Sequence, residues 1–178
     1  VKDLADSFLA SDIVTVATTD PSDTSYTKIA LNGATQWVKF TAGREKAACF
    51  LETHRYAAAM GGSMVFTKLE GTTVNAKDKV AYFAMSAIRS AMKTAAGLDK
   101  AINAGAVYAA NLASGQTDTA GAAIDSAWVP KDFGAVAALT GEDLTTADSL
   151  GNTANADKIA NPDNLQFSEK LRTLFIGE

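Results

Sequence analysis

Cysteine and histidine are each present once in this chain, as Cys49 and His54. A single cysteine excludes a disulfide within the chain, so the fold does not depend on an oxidising compartment. If both residues lie on one helix, the five-residue step between them separates their side chains by about 140° around the axis. They then cannot converge on one substrate or metal ion. We interpret His54 as a structural histidine and Cys49 as a small core residue.

The sequence also lacks the local motifs of common catalytic and binding chemistries. It contains no HExxH zinc motif, no paired cysteine spacing and no aspartate-rich calcium loop. Gly61-Gly62-Ser63 lacks the lysine and the spacing of a phosphate-binding loop, and neither a GxSxG elbow nor a dinucleotide-binding fingerprint occurs. We therefore predict no catalytic residues, no metal ligands and no cofactor, and we expect that the protein is not an enzyme.

Long apolar runs are missing too. No stretch approaches the ~18 apolar residues of a membrane-spanning helix. No charged start followed by an apolar core resembles a signal peptide. We therefore expect a protein that is made in the cytoplasm and has no membrane partner.

An excess of basic residues is likewise absent. The chain has 16 Lys and Arg against 20 Asp and Glu, a formal net charge of −4. Such a balance disfavours attraction to phosphate polyanions. Glu45 and Glu52 interleave with the one basic and aromatic concentration, which is typical of ion pairs along a solvated helix. That concentration comprises Arg44, Lys46, Arg55 and Tyr56. Direct nucleic-acid binding is therefore not expected.

What the chain does contain is an ordinary apolar fraction, 47%, in which alanine carries much of the weight. A length of 178 residues suffices for one domain with a core of ordinary size. Large apolar side chains are in shorter supply. We infer that neighbouring subunits supply part of the stability.

The first forty residues predict an antiparallel β-meander. Ile13 to Thr18 is β-branched, and both Tyr26 to Leu31 and Thr35 to Phe40 alternate between apolar and polar residues. Asn32-Gly33 between the last two is the strongest short signal for a hairpin. From Gly43 to Gly61 the spacing becomes helical.

The stretch from Asn75 to Gly97 predicts a long helix. Asn75 can act as its N-cap and Gly97 as its C-terminal stop. Leu98 to Leu112 repeats the helical spacing, so we predict a helical hairpin. The apolar stripe of the first helix consists of Val80, Phe83, Ala84, Ala87, Ile88, Ala91, Met92 and Ala95.

After Gly115 the composition becomes polar and small. Lys131 to Leu139 predicts a short helix, and Thr140 with Asp143 resembles a capping box that opens a second one. The fold class predicted is α+β: an N-terminal antiparallel β-meander packed against helices including the long helical hairpin, followed by an irregular C-terminal extension. Residues 1–115 are the predicted α+β core domain, and residues 116–178 the extended arm with short helices.

The composition of the chain and the order of its segments resemble those of bacteriophage virion structural proteins, such as coat, head-decoration or tail components. The resemblance rests on the richness in Ala, Thr, Gly and Asn, on the meander with Asn32-Gly33, and on the long tail after Gly115. It implies many copies in a capsid or tail, assembled in the host cytoplasm, with the chain itself and other virion proteins as partners.

From these features we expect a structural protein that self-assembles into a large homo-oligomer. Apolar residues near both ends and the two tryptophans are the predicted assembly contacts. They are Phe8, Trp37, Trp128, Leu171, Leu174 and Phe175. The alternative is a small α+β enzyme or ligand-binding module with a site near His54, Tyr56 and Trp37.

Overall fold

The computed structural model describes residues 2–31, 33–89, 92, 101–118 and 120–178. The chain forms two compact units, one of residues 1–66 with 90–98 and the other of residues 67–89 with 99–178. Strands hold 37% of the residues and helices 14%. The α+β prediction with a long helical hairpin is therefore wrong, because the protein is mostly β.

The first unit contains a three-stranded antiparallel sheet in the order β1-β3-β2. Its strands lie close to the predicted ones, but β1 pairs with β3 rather than with β2, so the order is not that of a meander. Asn32 of the hairpin signal lies outside the described residues, and Gly33 beside it has a φ of +79°. The strands are β1 Val14–Ala17, β2 Thr27–Leu31 and β3 Ala34–Phe40.

Four short helices accompany this sheet: α1 Lys2–Ala5, α2 Ala10–Ile13, α3 Glu45–Leu51 and α4 Thr53–Ala59. The single helix predicted from Gly43 is thus two helices, which meet at Glu52, where φ is −128° and the helical path is interrupted. Ala47 and Ala48 pack with Ile13, because their small side chains let α3 approach closely. A second cluster, Val14, Ile29 and Val38, lies within the sheet.

The second unit contains a five-stranded antiparallel sheet in the order β4-β5-β6-β7, with β8 also paired to β6, and a separate β9-β10 hairpin. The segment predicted to be an irregular extension therefore carries four strands. The strands of this unit are β4 Leu69–Asn75, β5 Val80–Met85, β6 Ala106–Ala113, β7 Val129–Pro130, β8 Gly134–Thr140, β9 Leu165–Ser168 and β10 Thr173–Ile176.

Over residues 75–85, where the long helix was predicted to begin, the structure has the end of β4, a turn and strand β5. The strand is apolar on both faces, and a short run of that kind can satisfy helical spacing as well as strand spacing. The hydrogen bond expected of Asn75 as a helix N-cap does form, but it stabilises a turn instead of a helix. Asn75 Oδ1 accepts a hydrogen bond from the Asp78 backbone N–H at 3.0 Å, but it does so within the β4–β5 turn.

The second helix of the predicted hairpin, from Leu98 to Leu112, is strand β6 from Ala106 onward. Residues 90, 91 and 93–100 lie outside the described part of the chain, so the remainder of both predicted helices cannot be compared with it. Strand β6 holds buried Val107 and Ala110 on opposite faces. As in β5, burial on both faces removed the period-two signal.

The predicted short helices after residue 130 are absent from the described residues. Lys131 to Leu139 is mainly strand β8. Asp143 caps no helix, because its carboxylate accepts the backbone N–H groups of Asn103 and Ala104, both at 2.8 Å. Asn103 and Ala104 lie about 40 positions before Asp143 in the sequence. A motif read from neighbouring residues therefore cannot reveal these partners.

One face of the five-stranded sheet, which we call the inner face, is covered by the β9-β10 hairpin. Ala84, Val107 and Leu165 form its core cluster. Phe167 stacks on Tyr82 with ring centroids 6.1 Å apart. Partly buried neighbours complete this core, namely Leu139, Ile159, Leu174 and Ile176. No helix within the described ranges has the length and apolar character needed to cross a membrane.

Candidate interaction surfaces

The strand register shows which residues lie on the opposite face of the same sheet, which we call the outer face. Directly paired residues of antiparallel strands share a face, and alternate residues of one strand do as well. Val74 pairs with Ala81, Phe83 pairs with Tyr108, and Leu112 pairs with Pro130. By this register the outer face consists of Leu69, Thr72, Val74, Ala81, Phe83, Met85, Ala106, Tyr108, Ala110, Leu112 and Pro130, with Phe133 packed onto it. Its centre is covered within the chain, because Met85, Ala106, Tyr108 and Ala110 are each at most 3% exposed.

Three aromatic rings form the centre of the outer face. Phe133 packs edge-on against Phe83 at 5.3 Å between centroids and stacks on Tyr108 at 5.2 Å. Offset-stacked and edge-to-face pairs of this kind stabilise a structure beyond the area that they bury. Even so, 41% of Phe133 is exposed to solvent. Phe133 therefore helps to cover Phe83 and Tyr108, while its own ring remains partly exposed.

Tyr108 is 3% exposed, and its hydroxyl has no hydrogen-bond partner in the structure described. Burial raises the pKa of this hydroxyl above its ordinary value of 10.0, because the phenolate is poorly solvated there. A buried hydroxyl without a partner destabilises the folded state, because it loses its hydrogen bonds to water and gains none within the protein.

Replacing Tyr108 with phenylalanine is therefore expected to leave the free energy of unfolding unchanged or to raise it by ~1 kcal/mol. The ring contact with Phe133 persists in the variant, while the desolvated hydroxyl is gone. Urea unfolding of both proteins measures the difference. A loss of more than ~1 kcal/mol would mean that the hydroxyl has a stabilising partner.

Trp128, a predicted assembly contact, comes directly before β7 and is 51% exposed. The Lys79 ammonium lies 5.6 Å from its ring centroid, within the range of a cation–π contact. Trp128 stands two residues before Pro130, so the alternation of extended backbone places it on the same side as the outer face. It extends that surface at the end where β5 begins.

The three predicted contacts near the end of the chain belong to the β9-β10 hairpin. Leu171 in its turn is 62% exposed and Phe175 is 51% exposed, while Leu174 packs into the inner-face core. Arg172 ties the turn down: its guanidinium pairs with Asp78 and Glu169. These three predicted contacts are thus divided between the exposed turn, the inner-face core and the exposed side of the hairpin.

The remaining predicted contacts, Phe8 and Trp37, lie in the first unit and are partly buried. Phe8 packs against the α2–α3 core cluster, and the Arg44 guanidinium lies 4.5 Å from its ring. Trp37 on β3 has the Lys28 ammonium 5.6 Å from its ring centroid. Both rings therefore have contacts within their own unit.

His54, the centre of the alternative prediction, is an exposed residue of α4. It lines an open pocket of about 420 Å³ whose walls include Glu52 and Arg55. These two side chains form an ion pair, with Arg55 Nη1 2.7 Å from Glu52 Oε2. Trp37 is not among the lining residues in the described part of the chain, and Tyr56 packs against Phe40.

Metal and thiol chemistry have little geometric basis in the described ranges. Cys49 is a free, exposed cysteine, so the interpretation of it as a small core residue is wrong. No group of three or more His, Cys, Asp or Glu side chains is placed there to hold a metal ion. The acidic cluster of the sequence, Glu142-Asp143 and Asp148, is divided among separate partners. Asp143 binds backbone N–H groups, and Asp148 accepts from Leu150 and Asn152 within its own loop.

The outer face was missed by sequence reasoning, which selected Trp128 but not Val74, Phe83 or Phe133. One signal could have located it. Val74, Ala81 and Phe83 lie at alternating positions on either side of a polar turn, the pattern of an apolar hairpin face. The helical assignment of Asn75 to Gly97 concealed that pattern.

Comparison with known proteins provides no further guide to this surface. No protein-family model matches the chain, and neither the curated proteins nor the solved structures that were searched include a match.

Proposed function

We propose that this protein is structural and works by binding further copies of itself, forming a homo-oligomer. The observation that supports the proposal is the set of large apolar side chains that the second unit exposes to solvent, namely Leu69, Val74, Trp128 and Phe133, each at least two-fifths exposed. Monomeric soluble proteins seldom leave a contiguous apolar patch of more than a few hundred Å² in water, and larger ones mark interaction sites. Oligomers of identical chains are the commonest result of such contacts.

The first unit adds apolar surface of its own. Leu9 is 70% exposed, Phe50 53% and Met60 58%. An assembly in which each copy meets several neighbours needs more than one contact surface on each chain. Exposed apolar side chains on both units are consistent with that requirement.

A component of a bacteriophage capsid or tail is the more specific form of this proposal. It rests on the resemblance in texture to virion proteins, and it makes other virion proteins additional partners and the virion the location. A net charge of −4 suits an outer shell or tube better than a coat that neutralises packaged nucleic acid. Ligand binding near His54 remains a prediction, and the separation of Tyr56 and Trp37 from the pocket does not favour it.

The experiment that tests self-association is size-exclusion chromatography with light scattering over a hundredfold range of protein concentration. We expect the weight-average mass to rise with concentration to multiples of the 18.5 kDa chain. Negative-stain microscopy of the concentrated fractions should then reveal regular particles. A mass equal to one chain at every concentration would contradict the proposal.

A further inference from the structure

We propose that the inner face of the five-stranded sheet receives the β9-β10 hairpin of a second copy, which takes the place of the chain's own hairpin. The inference rests on the proposed function and goes further, because it names the exchanged segment, the surface that receives it and the residue at which the chain opens. Exchange of an identical element is a low-cost route to a dimer, since the second hairpin can form the contacts that the first one forms now.

The β9-β10 hairpin is a self-contained unit. Within the described part of the chain, its two strands pair only with each other. Leu165 pairs with Ile176 and Phe167 pairs with Leu174. These four side chains therefore share one face, which packs on the inner face of the sheet. The hairpin can leave one sheet and bind another with its own backbone hydrogen bonds intact.

Asn161, just before the hairpin, is the residue at which we expect the chain to open. Its φ is +46°, in the left-handed region. Asparagine tolerates that region better than most residues, but the following Pro162 favours an extended conformation at the position before it. Two hydrogen bonds hold the strained conformation: Asn161 Nδ2 donates to the carbonyl oxygens of Ser86 at 2.9 Å and Asn103 at 3.0 Å. A short connection under strain favours exchange, because the strain is relieved when the chain extends.

The tip of the hairpin forms charged contacts with the sheet that it covers. The Arg172 guanidinium pairs with Asp78, which lies in the turn between β4 and β5. Glu169 Oε1 accepts the backbone N–H groups of Ala76 and Lys77 in the same turn, the second at 3.1 Å. Because Arg172 belongs to the hairpin and Asp78 to the sheet, the pairing of these two charges reveals which copy supplied the hairpin.

The test mixes two charge-reversed variants. Arg172→Glu reverses the charge on the hairpin, and Asp78→Arg reverses it beside the sheet. In each variant alone, whether closed or exchanged, the two positions carry like charges. In a heterodimer that has exchanged its hairpins, both contacts unite opposite charges, one in the natural orientation and one reversed. Native mass spectrometry distinguishes the chains by mass and measures the proportions of heterodimer and homodimers, and circular dichroism verifies that each variant is folded.

A second pair of variants is the matched control. Glu142 and Lys158 form an exposed ion pair of 3.5 Å, and both lie before Asn161, so exchange of the hairpin leaves them together in one chain. Glu142→Lys and Lys158→Glu reverse one acidic and one basic residue, as the test pair does. Any preference for heterodimers in the control mixture therefore measures the effect of net charge alone.

We expect the ratio of heterodimers to homodimers to be at least ~10-fold higher for the test pair than for the control pair, since ~1.4 kcal/mol summed over the two contacts is enough for that shift. Equal ratios would overturn the exchange of hairpins while leaving self-association through another surface intact. If either test variant does not fold alone, the two are refolded together from urea, and a refolded mixture without excess heterodimer likewise overturns the exchange. A natural chain that stays monomeric at every concentration overturns the proposed function as well.

Discussion

Gly105→Ala is expected to lower the free energy of unfolding by more than ~3 kcal/mol. The backbone at Gly105 has a φ of +73°, a conformation that costs other residues ~1–2 kcal/mol. In addition, a Cβ there would lie 2.2 Å from the Met85 carbonyl oxygen and 2.6 Å from that of Ser86. Both obstacles are backbone atoms, so relief requires that β5 and the entry to β6 separate.

Two other glycines distinguish the cost of the positive φ from the cost of the close backbone contact. Gly115 has a φ of +78°, but no atom lies within 4 Å of the point that an alanine Cβ would occupy, so Gly115→Ala should cost only the conformational part, ~1–2 kcal/mol. Gly134, with equally open surroundings and no positive φ, should tolerate alanine within ~0.5 kcal/mol. Urea unfolding of the three variants measures the series. Equal losses of unfolding free energy at Gly105 and Gly115 would contradict the expectation that contact with the β5 backbone adds to the cost at Gly105.

Asp143→Ala is expected to lower the free energy of unfolding by ~2–3 kcal/mol. The carboxylate accepts the backbone N–H groups of Asn103 and Ala104, both at 2.8 Å, and the Asn103 side-chain amide at 3.2 Å. Alanine leaves those donors without their charged acceptor, and Ala104 is almost fully buried. The loop that precedes β6 should loosen before the rest of the second unit unfolds.

The preceding residue supplies the control for Asp143. Glu142 is about half exposed and forms an ion pair of 3.5 Å with Lys158. Exposed pairs contribute ~0–1 kcal/mol, so Glu142→Ala should be nearly neutral. Hydrogen exchange resolved by residue measures the local effect: the amides of Asn103 and Ala104 should lose protection in Asp143→Ala alone. Unchanged protection would mean that the carboxylate does not hold this loop.

The N-terminal strands could be predicted because their signals are local. β-Branched runs, alternation and a glycine turn lie within a few residues of the structures that they specify. The pairing order could not be read in the same way. Phe40 pairs with Val14 across 26 positions of sequence, and nothing in either strand excludes β2 as the neighbour of β1.

The helices predicted over strands β5 and β6 were wrong because both strands are apolar on both faces. In Val80 to Met85, every residue is apolar or aromatic, so neither a period of two nor one of 3.6 is distinctive. The partners that decide between strand and helix, Thr73 for Tyr82 and Ala109 beyond it, lie on other segments. Helix propensity of the alanines then favoured the wrong choice.

The candidate surface was predictable only in part. Trp128 was selected from the sequence because a large aromatic residue in a polar segment is conspicuous. Phe133 was assigned to a short helix, and its place beside Phe83 and Tyr108 depends on β8 pairing with β6. The members of a surface that four strands and Phe133 form together can be recognised only once the order of the strands is known.

The central claim, self-association through exposed apolar side chains, can be measured most directly through Trp128, which is 51% exposed. The chain has two tryptophans, so Trp37→Phe leaves Trp128 as the sole indole reporter. As concentration rises into the range where light scattering detects dimers, Trp128 emission should shift to shorter wavelength and acrylamide quenching should fall. Emission and quenching that stay constant while the mass doubles would contradict the claim.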